Sequence, residues 1–281
     1  MKILLALMML IFTLNAKSFF SNDNQAEKGK YIMAVKDLIV AAQRTRGVTL
    51  SYINGNESAL FLIYNYRDDM KTAIGKMESS PLASVYNNKL TPISNAFTRL
   101  NTRALKMKSA DAFDAYTETI AQALMLAQSV SSTNSDKMNA FGLKVSKVMM
   151  EVIMPLSEVM GQQRALGSGA SAKGSADKSL KTQMQVLVLK ISKLKDRLQS
   201  EMRTVVSEKP EYYGPTINSK LVNADNAINE YLKVTKKRII KNKIDYDANE
   251  YFTLATDTIS TIMVLFDMNN EAIKEDSKGW I

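Results

Sequence analysis

Leu180, Met184, Leu187, Ile191, Leu194, Leu198, Met202 and Val205 step by three and four residues, an apolar seam of near-heptad spacing. A stripe of this period lies along one face of a helix and has to be buried against other helices. The same stepping recurs in Phe113, Tyr116, Ile120, Leu124 and Ala127, and again in Phe252, Ala255, Ile259, Ile262 and Phe266. Sustained period-two alternation is missing, and Asn54-Gly55 closes a helical run rather than joining two β-rich ones. The expected fold class is therefore all-α.

Start and stop residues divide the chain into about eight helices. The first runs from about Ala26 to Ile53; Asn56 caps the second, which reaches about Glu78. Ser80-Pro81 opens a third helix to about Lys106, with Pro92 predicting a kink or a restart capped by Thr91. The fourth spans Ser109 to about Val130, the fifth Ser135 to about Ala172, and the sixth Ser175 to about Ser207. Glu208-Lys-Pro-Glu-Tyr-Tyr-Gly-Pro215 is the clearest break. A seventh helix covers about Thr216 to Lys241, and Asp245 caps an eighth that ends near Ile273. Long antiparallel helices joined by short loops imply two four-helix bundles or one shared helical rod. Pro155 removes a backbone bond inside the fifth helix, frees the carbonyl of Glu151 and predicts a bend. The methionines beside it, Met149, Met150, Met154 and Met160, read as core packing.

Met1–Ala16 has a short basic start, an apolar run from Ile3 to Leu14 and a small residue at a cleavage point. That run is shorter than the ~20 residues that span a bilayer. Residues 1–16 are thus expected to be a secretory signal, cleaved or kept as an anchor, and residues 17–281 a periplasmic or secreted domain. Cysteine and histidine are both absent, which argues against zinc, haem and thiol chemistry and leaves no cofactor to expect. The net charge of +9 is spread over most helices rather than gathered on one face with stacking aromatics, so nucleic acid is not an expected partner. The one dense cluster, Lys236-Lys-Arg-Ile-Ile-Lys-Asn-Lys243, suits a solvated helix end first and anionic lipid headgroups second.

One arginine stands among small residues in Met160-Gly-Gln-Gln-Arg-Ala-Leu-Gly-Ser-Gly-Ala-Ser-Ala-Lys-Gly174. Leu38 to Gly55 aligns with this region without gaps: Leu38 falls on Leu156, Arg46 on Arg164, Val48 on Leu166 and Ser51 on Gly169. The alignment selects Arg46 over Arg44, which is two residues away and on a different helix face. A guanidinium is a flat fork of donors that matches two oxygens of a planar anion. Arg46 and Arg164 are therefore suited to clamp one small oxyanion between two helices. Gly47, Ala165 and Gly167 allow close approach, while Thr49 and Ser168, one turn beyond their arginines, can add hydroxyl donors; Ser51 is a further candidate.

Gln43-Arg-Thr-Arg-Gly47 together with Gly161-Gln-Gln-Arg-Ala165 resembles the paired arginine motifs of the nitrate- and nitrite-sensing (NIT) domain family. The resemblance implies two four-helix bundles and arginines that bind nitrate or nitrite. It departs from the family pattern at Thr45 and Gln163, where Glu is usual. Family members carry an output module, so the resemblance implies that the bound state is passed on, here to a membrane-bound sensor or transporter.

Catalytic patterns are weak. Asp68 and Asp69 are adjacent and point about 100° apart on a helix. Ser175-Ala-Asp-Lys178 has the spacing of some acyl-transfer enzymes without their companion motifs. Gly167-Ser-Gly-Ala-Ser-Ala-Lys-Gly174 lacks the glycine spacing of a phosphate loop. The chain is expected to be a non-enzymatic, exported anion sensor. The alternative is a helical scaffold in which each arginine pairs with its own Asp or Glu and no small ligand binds.

Overall fold

A computed structural model describes residues 23–133 and 138–278. Residues 1–16, expected from the sequence to be a secretory signal, lie outside the described residues. Among the described residues there is no strand, only an isolated bridge between Ser175 and Lys243. No helix there is long and apolar enough to cross a membrane.

The chain winds α1 (Asp23–Ile53), α2 (Ala59–Glu78), α3 (Ala83–Arg103) and α4 (Ser109–Ser132) into one ring, with α4 returning to pack on α1. After α5 (Ala140–Lys147) and a π-helical turn, Val148–Ile153, come α6 (Met154–Lys173), α7 (Lys178–Glu208), α8 (Ile217–Val234) and α9 (Ala248–Lys278). In this second ring α9 closes on α6. The two four-helix bundles meet where α1 packs along α6. The heptad-like seam is the buried face of α7: Met184, Leu187, Ile191, Leu198, Met202 and Val205 are buried, and Leu180 and Leu194 pack against the core.

The two central helices have no solvent face of their own, since each serves its own bundle and the other helix. Their polar residues are buried accordingly: Gln43, Thr45, Arg46, Thr49 and Ser51 on α1, and Ser157, Glu158, Gln163, Arg164 and Ser168 on α6. A helix hidden all round is normally apolar. Polar groups in such a place need partners, so this crossing is where function is sought. Met149, Met150, Met154 and Met160 are core residues, as their spacing predicts.

Several boundaries differ from the sequence reading. Ser175 does not cap α7; Asp177 does, its carboxylate accepting from the Leu180 amide at 2.8 Å. Ser175 sits in a turn where the Ile244 amide bonds the Gly174 carbonyl at 2.9 Å. Likewise Asp247, not Asp245, caps α9, accepting from the Asn249 and Glu250 amides at 2.8 and 2.9 Å. Asp245 instead meets Arg238 at 3.3 Å. Pro92 lies inside an unbroken α3, so no helix restarts at Thr91. Ser135 lies outside the described residues; Asn139 caps α5, accepting from the Gly142 amide. Before Pro155 the helix widens into the π turn, and Arg197 of α7 donates to the Glu151 carbonyl at 3.3 Å.

Candidate functional site: the α1–α6 crossing

Arg46 and Arg164 face each other's helices in a reciprocal arrangement. A Cβ placed on Gly161 of α6 would lie 3.0 Å from Arg46 Nη2, and one on Gly47 of α1 would lie 3.5 Å from Arg164 Nε and 2.8 Å from the Phe252 ring. At Gly47 it is the Phe252 ring that leaves no room for a side chain, and at Gly161 the Arg46 guanidinium and Gln43 together leave little. Each guanidinium also lies over a phenylalanine, Arg46 over Phe113 at 5.5 Å and Arg164 over Phe252 at 4.8 Å. Each donates through Nη1 to the threonine one turn further along the same helix, Thr117 at 2.9 Å and Thr256 at 2.8 Å. Both threonines donate in turn to the carbonyl of their phenylalanine, at 2.7 Å. A Phe-x-x-x-Thr element on the last helix of each bundle thus holds one arginine.

The symmetry stops at the counter-charge. Arg46 forms a bidentate pair with Glu158, Nη1 to Oε1 at 2.7 Å and Nη2 to Oε2 at 3.2 Å. Gln43 and Gln162 complete the carboxylate, donating at 3.0 and 2.8 Å. Arg164 is 1% exposed, and no carboxylate pairs with it among the described residues. Its Nε and Nη2, the two donors along one edge of the guanidinium, have no hydrogen-bond partner. Burial, with the nearby charges of Arg44 and Arg46, pushes its pKa down from 12.5 to about 9, so it remains charged at neutral pH.

Thr49 and Ser168 are both fully buried; the Thr49 hydroxyl lies against the Tyr116 hydroxyl, while that of Ser168 has no hydrogen-bond partner. Ser51 accepts from Asn56 at 2.9 Å and belongs to the turn after α1. Gly167 packs on Tyr251, where an added Cβ would come within 2.1 Å of the ring. Thr45 and Gln163 hydrogen-bond neither arginine. Thr45 donates to the Ala41 carbonyl at 2.9 Å and Gln163 to the Met184 carbonyl at 3.3 Å. The acidic partner comes instead from Glu158, a residue the sequence reading did not single out, as it did not single out Thr117 and Thr256.

The architecture is that of an all-helical domain built to hold two buried guanidiniums at a joint between bundles. The family model for nitrate and nitrite sensing matches residues 37–267, and the chain belongs to that family, a family of signalling domains rather than of enzymes. No curated protein matches. Among solved structures, the NasR transcription antiterminator shares the fold at a TM-score of 0.61 and 13% identity, over 96% of this chain and 75% of that one.

Proposed function

We propose that this domain binds nitrate or nitrite at the α1–α6 crossing, with Arg164 as receptor and Arg46 as its charged neighbour. One observation carries the reading: a buried arginine with no acid partner and an open Nε/Nη2 edge. A buried charge without a counter-ion costs several kcal/mol, roughly, unless something pairs with it. The free edge offers two parallel N–H donors, the geometry that fits two oxygens of a small planar anion. Ser168, one turn beyond Arg164 on α6, supplies an unused buried hydroxyl. Arg46 keeps Glu158 on its outer edge and adds positive field and an unpartnered Nε. The Arg46–Glu158 pair alone would suit a helix-packing scaffold. A scaffold does not account for the resting state of Arg164.

The short apolar segment at Met1–Ala16 supports export, and the family's signalling role supports transmission of the bound state to a partner, a membrane-bound sensor or transporter. The test is a melting curve in nitrate against chloride at equal ionic strength. A ligand at one hundred times its dissociation constant stabilises the native state by ~2.7 kcal/mol, about 5–10 °C for a chain of this size. Arg164→Ala is expected to abolish the nitrate-specific shift. Identical wild-type melts in nitrate and chloride up to tens of millimolar would overturn the proposal.

A further inference from the structure

We infer that Arg44 is the second guanidinium of this oxyanion site: an anion on the open edge of Arg164 is shared with Arg44 and arrives through the groove between α1, α2 and α9. The inference rests on the reading of Arg164 as receptor and adds a residue that the alignment of the two halves passes over.

Arg44 and Arg46 are two residues apart on α1 and so face different neighbours. Arg46 is committed to Glu158 and Thr117. Arg44 turns toward α2, where its guanidinium lies over Tyr66 at 5.7 Å. The Tyr66 ring is 6.2 Å from Phe252, and Phe252 lies under Arg164. Arg44 and Arg164 therefore each lie over one ring of the same Tyr66–Phe252 pair.

Arg44 is half-buried and lines a groove of about 350 Å³ with Lys36, Asp37, Asp69, Lys76 and Asp267. Of the three acids there, two serve the lysines, and Asp69 forms no ion pair among the described residues. Asp267 pairs with Lys36 at 2.7 Å, and Asp37 lies 3.4 Å from Lys36 and 3.6 Å from Lys76. No carboxylate pairs with Arg44 among the described residues, and its buried Nε has no partner. After burial, the charge of Arg44 is the largest influence that lowers the Arg164 pKa, so the two cations act on one another. A small oxyanion between them replaces that repulsion with two attractions. Because the groove reaches solvent at Arg44, the outer cation also meets an incoming anion first.

The experiment compares nitrate titrations of wild type, Arg44→Ala, Arg44→Lys and Arg203→Ala by thermal melting at fixed ionic strength. Arg203 is exposed on α7, so its loss removes the same charge away from the site. The expected result is that Arg44→Ala needs about tenfold more nitrate, a loss of ~1.4 kcal/mol of binding, while Arg203→Ala titrates like wild type. Arg44→Lys, which keeps the charge and drops the fork, should fall between them. If Arg44→Ala and Arg44→Lys both titrate like wild type, Arg44 lies outside the site although Arg164 remains its receptor. Should Arg44→Ala fail to fold, as judged by circular dichroism, an unchanged nitrate dependence in Arg44→Lys overturns the inference by itself. A wild type that ignores nitrate, or an Arg164→Ala variant that responds as wild type does, defeats the parent reading and this inference together.

Discussion

Replacing Arg164 by methionine should stabilise the ligand-free protein while it destroys the nitrate response. In the resting state burial and the fields of Arg44 and Arg46 lower the Arg164 pKa from 12.5 to about 9, which corresponds to ~5 kcal/mol against the charged form. Methionine nearly conserves the side-chain volume and removes that cost. What is lost is one charged hydrogen bond to Thr256, ~1.5–3 kcal/mol, and the contact over Phe252, ~0.5–1 kcal/mol, which a thioether beside the ring partly restores. Thr256 is not orphaned, because its hydroxyl already donates to the Phe252 carbonyl. The net gain is ~1–3 kcal/mol, or about 2–12 °C in Tm. The sign with pH follows from linkage. Below about pH 9 both folded and unfolded chains hold the proton, so wild type bears the whole cost and the gain from methionine is constant. Above it the folded chain releases the proton first, wild-type stability rises relative to the variant, and the gain shrinks. The assay is urea or thermal unfolding in chloride, a spherical anion that cannot match the planar fork, followed by a nitrate titration at equal ionic strength. A variant less stable than wild type by ~2 kcal/mol or more without nitrate would show that Arg164 is already compensated, and would refute the reasoning.

Glu158→Gln leaves Arg46 buried without its counter-ion and should cost ~3–5 kcal/mol in chloride, yet the nitrate-induced shift should grow, because a second guanidinium edge becomes available; equilibrium unfolding with and without nitrate measures both. Gly167→Ala places a methyl inside the Tyr251 ring and should destabilise by ~1–3 kcal/mol, with Tyr251→Leu in the same chain recovering part of the loss in a double-mutant cycle. Mass spectrometry of the exported protein should find a new N-terminus just after Ala16; an intact Met1 recovered from the cytoplasm would remove the localisation from the account.

The helices were legible because their apolar residues repeat every three and four positions and each seam is buried as a unit, as on α7. Caps were less so. Ser175 and Asp177 can both accept an amide bond, and the choice depends on the Gly174–Ile244 contact, a pairing between distant loops. The two arginines stood out as charges among small residues, and the glycines near them make room for the Arg46 guanidinium and for the Phe252 and Tyr251 rings. Glu158 was hidden because a lone acid on a long helix usually faces water, and only the crossing of α1 shows that it does not. The Phe-x-x-x-Thr pair could have been found: Phe113 with Thr117 and Phe252 with Thr256 sit on two of the seams already recognised. Their spacing from the arginines differs between the halves, so an alignment without gaps passes over them. Arg44 was set aside by that same alignment, which finds what the halves share and misses what distinguishes them.

The most direct measurement of the central claim is a crystal structure of the protein grown with nitrate as the principal anion. The account predicts a planar anion with two oxygens within hydrogen-bond distance, about 2.7–3.2 Å, of Arg164 Nε and Nη2, and with the Arg46–Glu158 pair intact beside it. An Arg164 edge filled by a protein group, or left without the anion while nitrate occupies other sites, would contradict it.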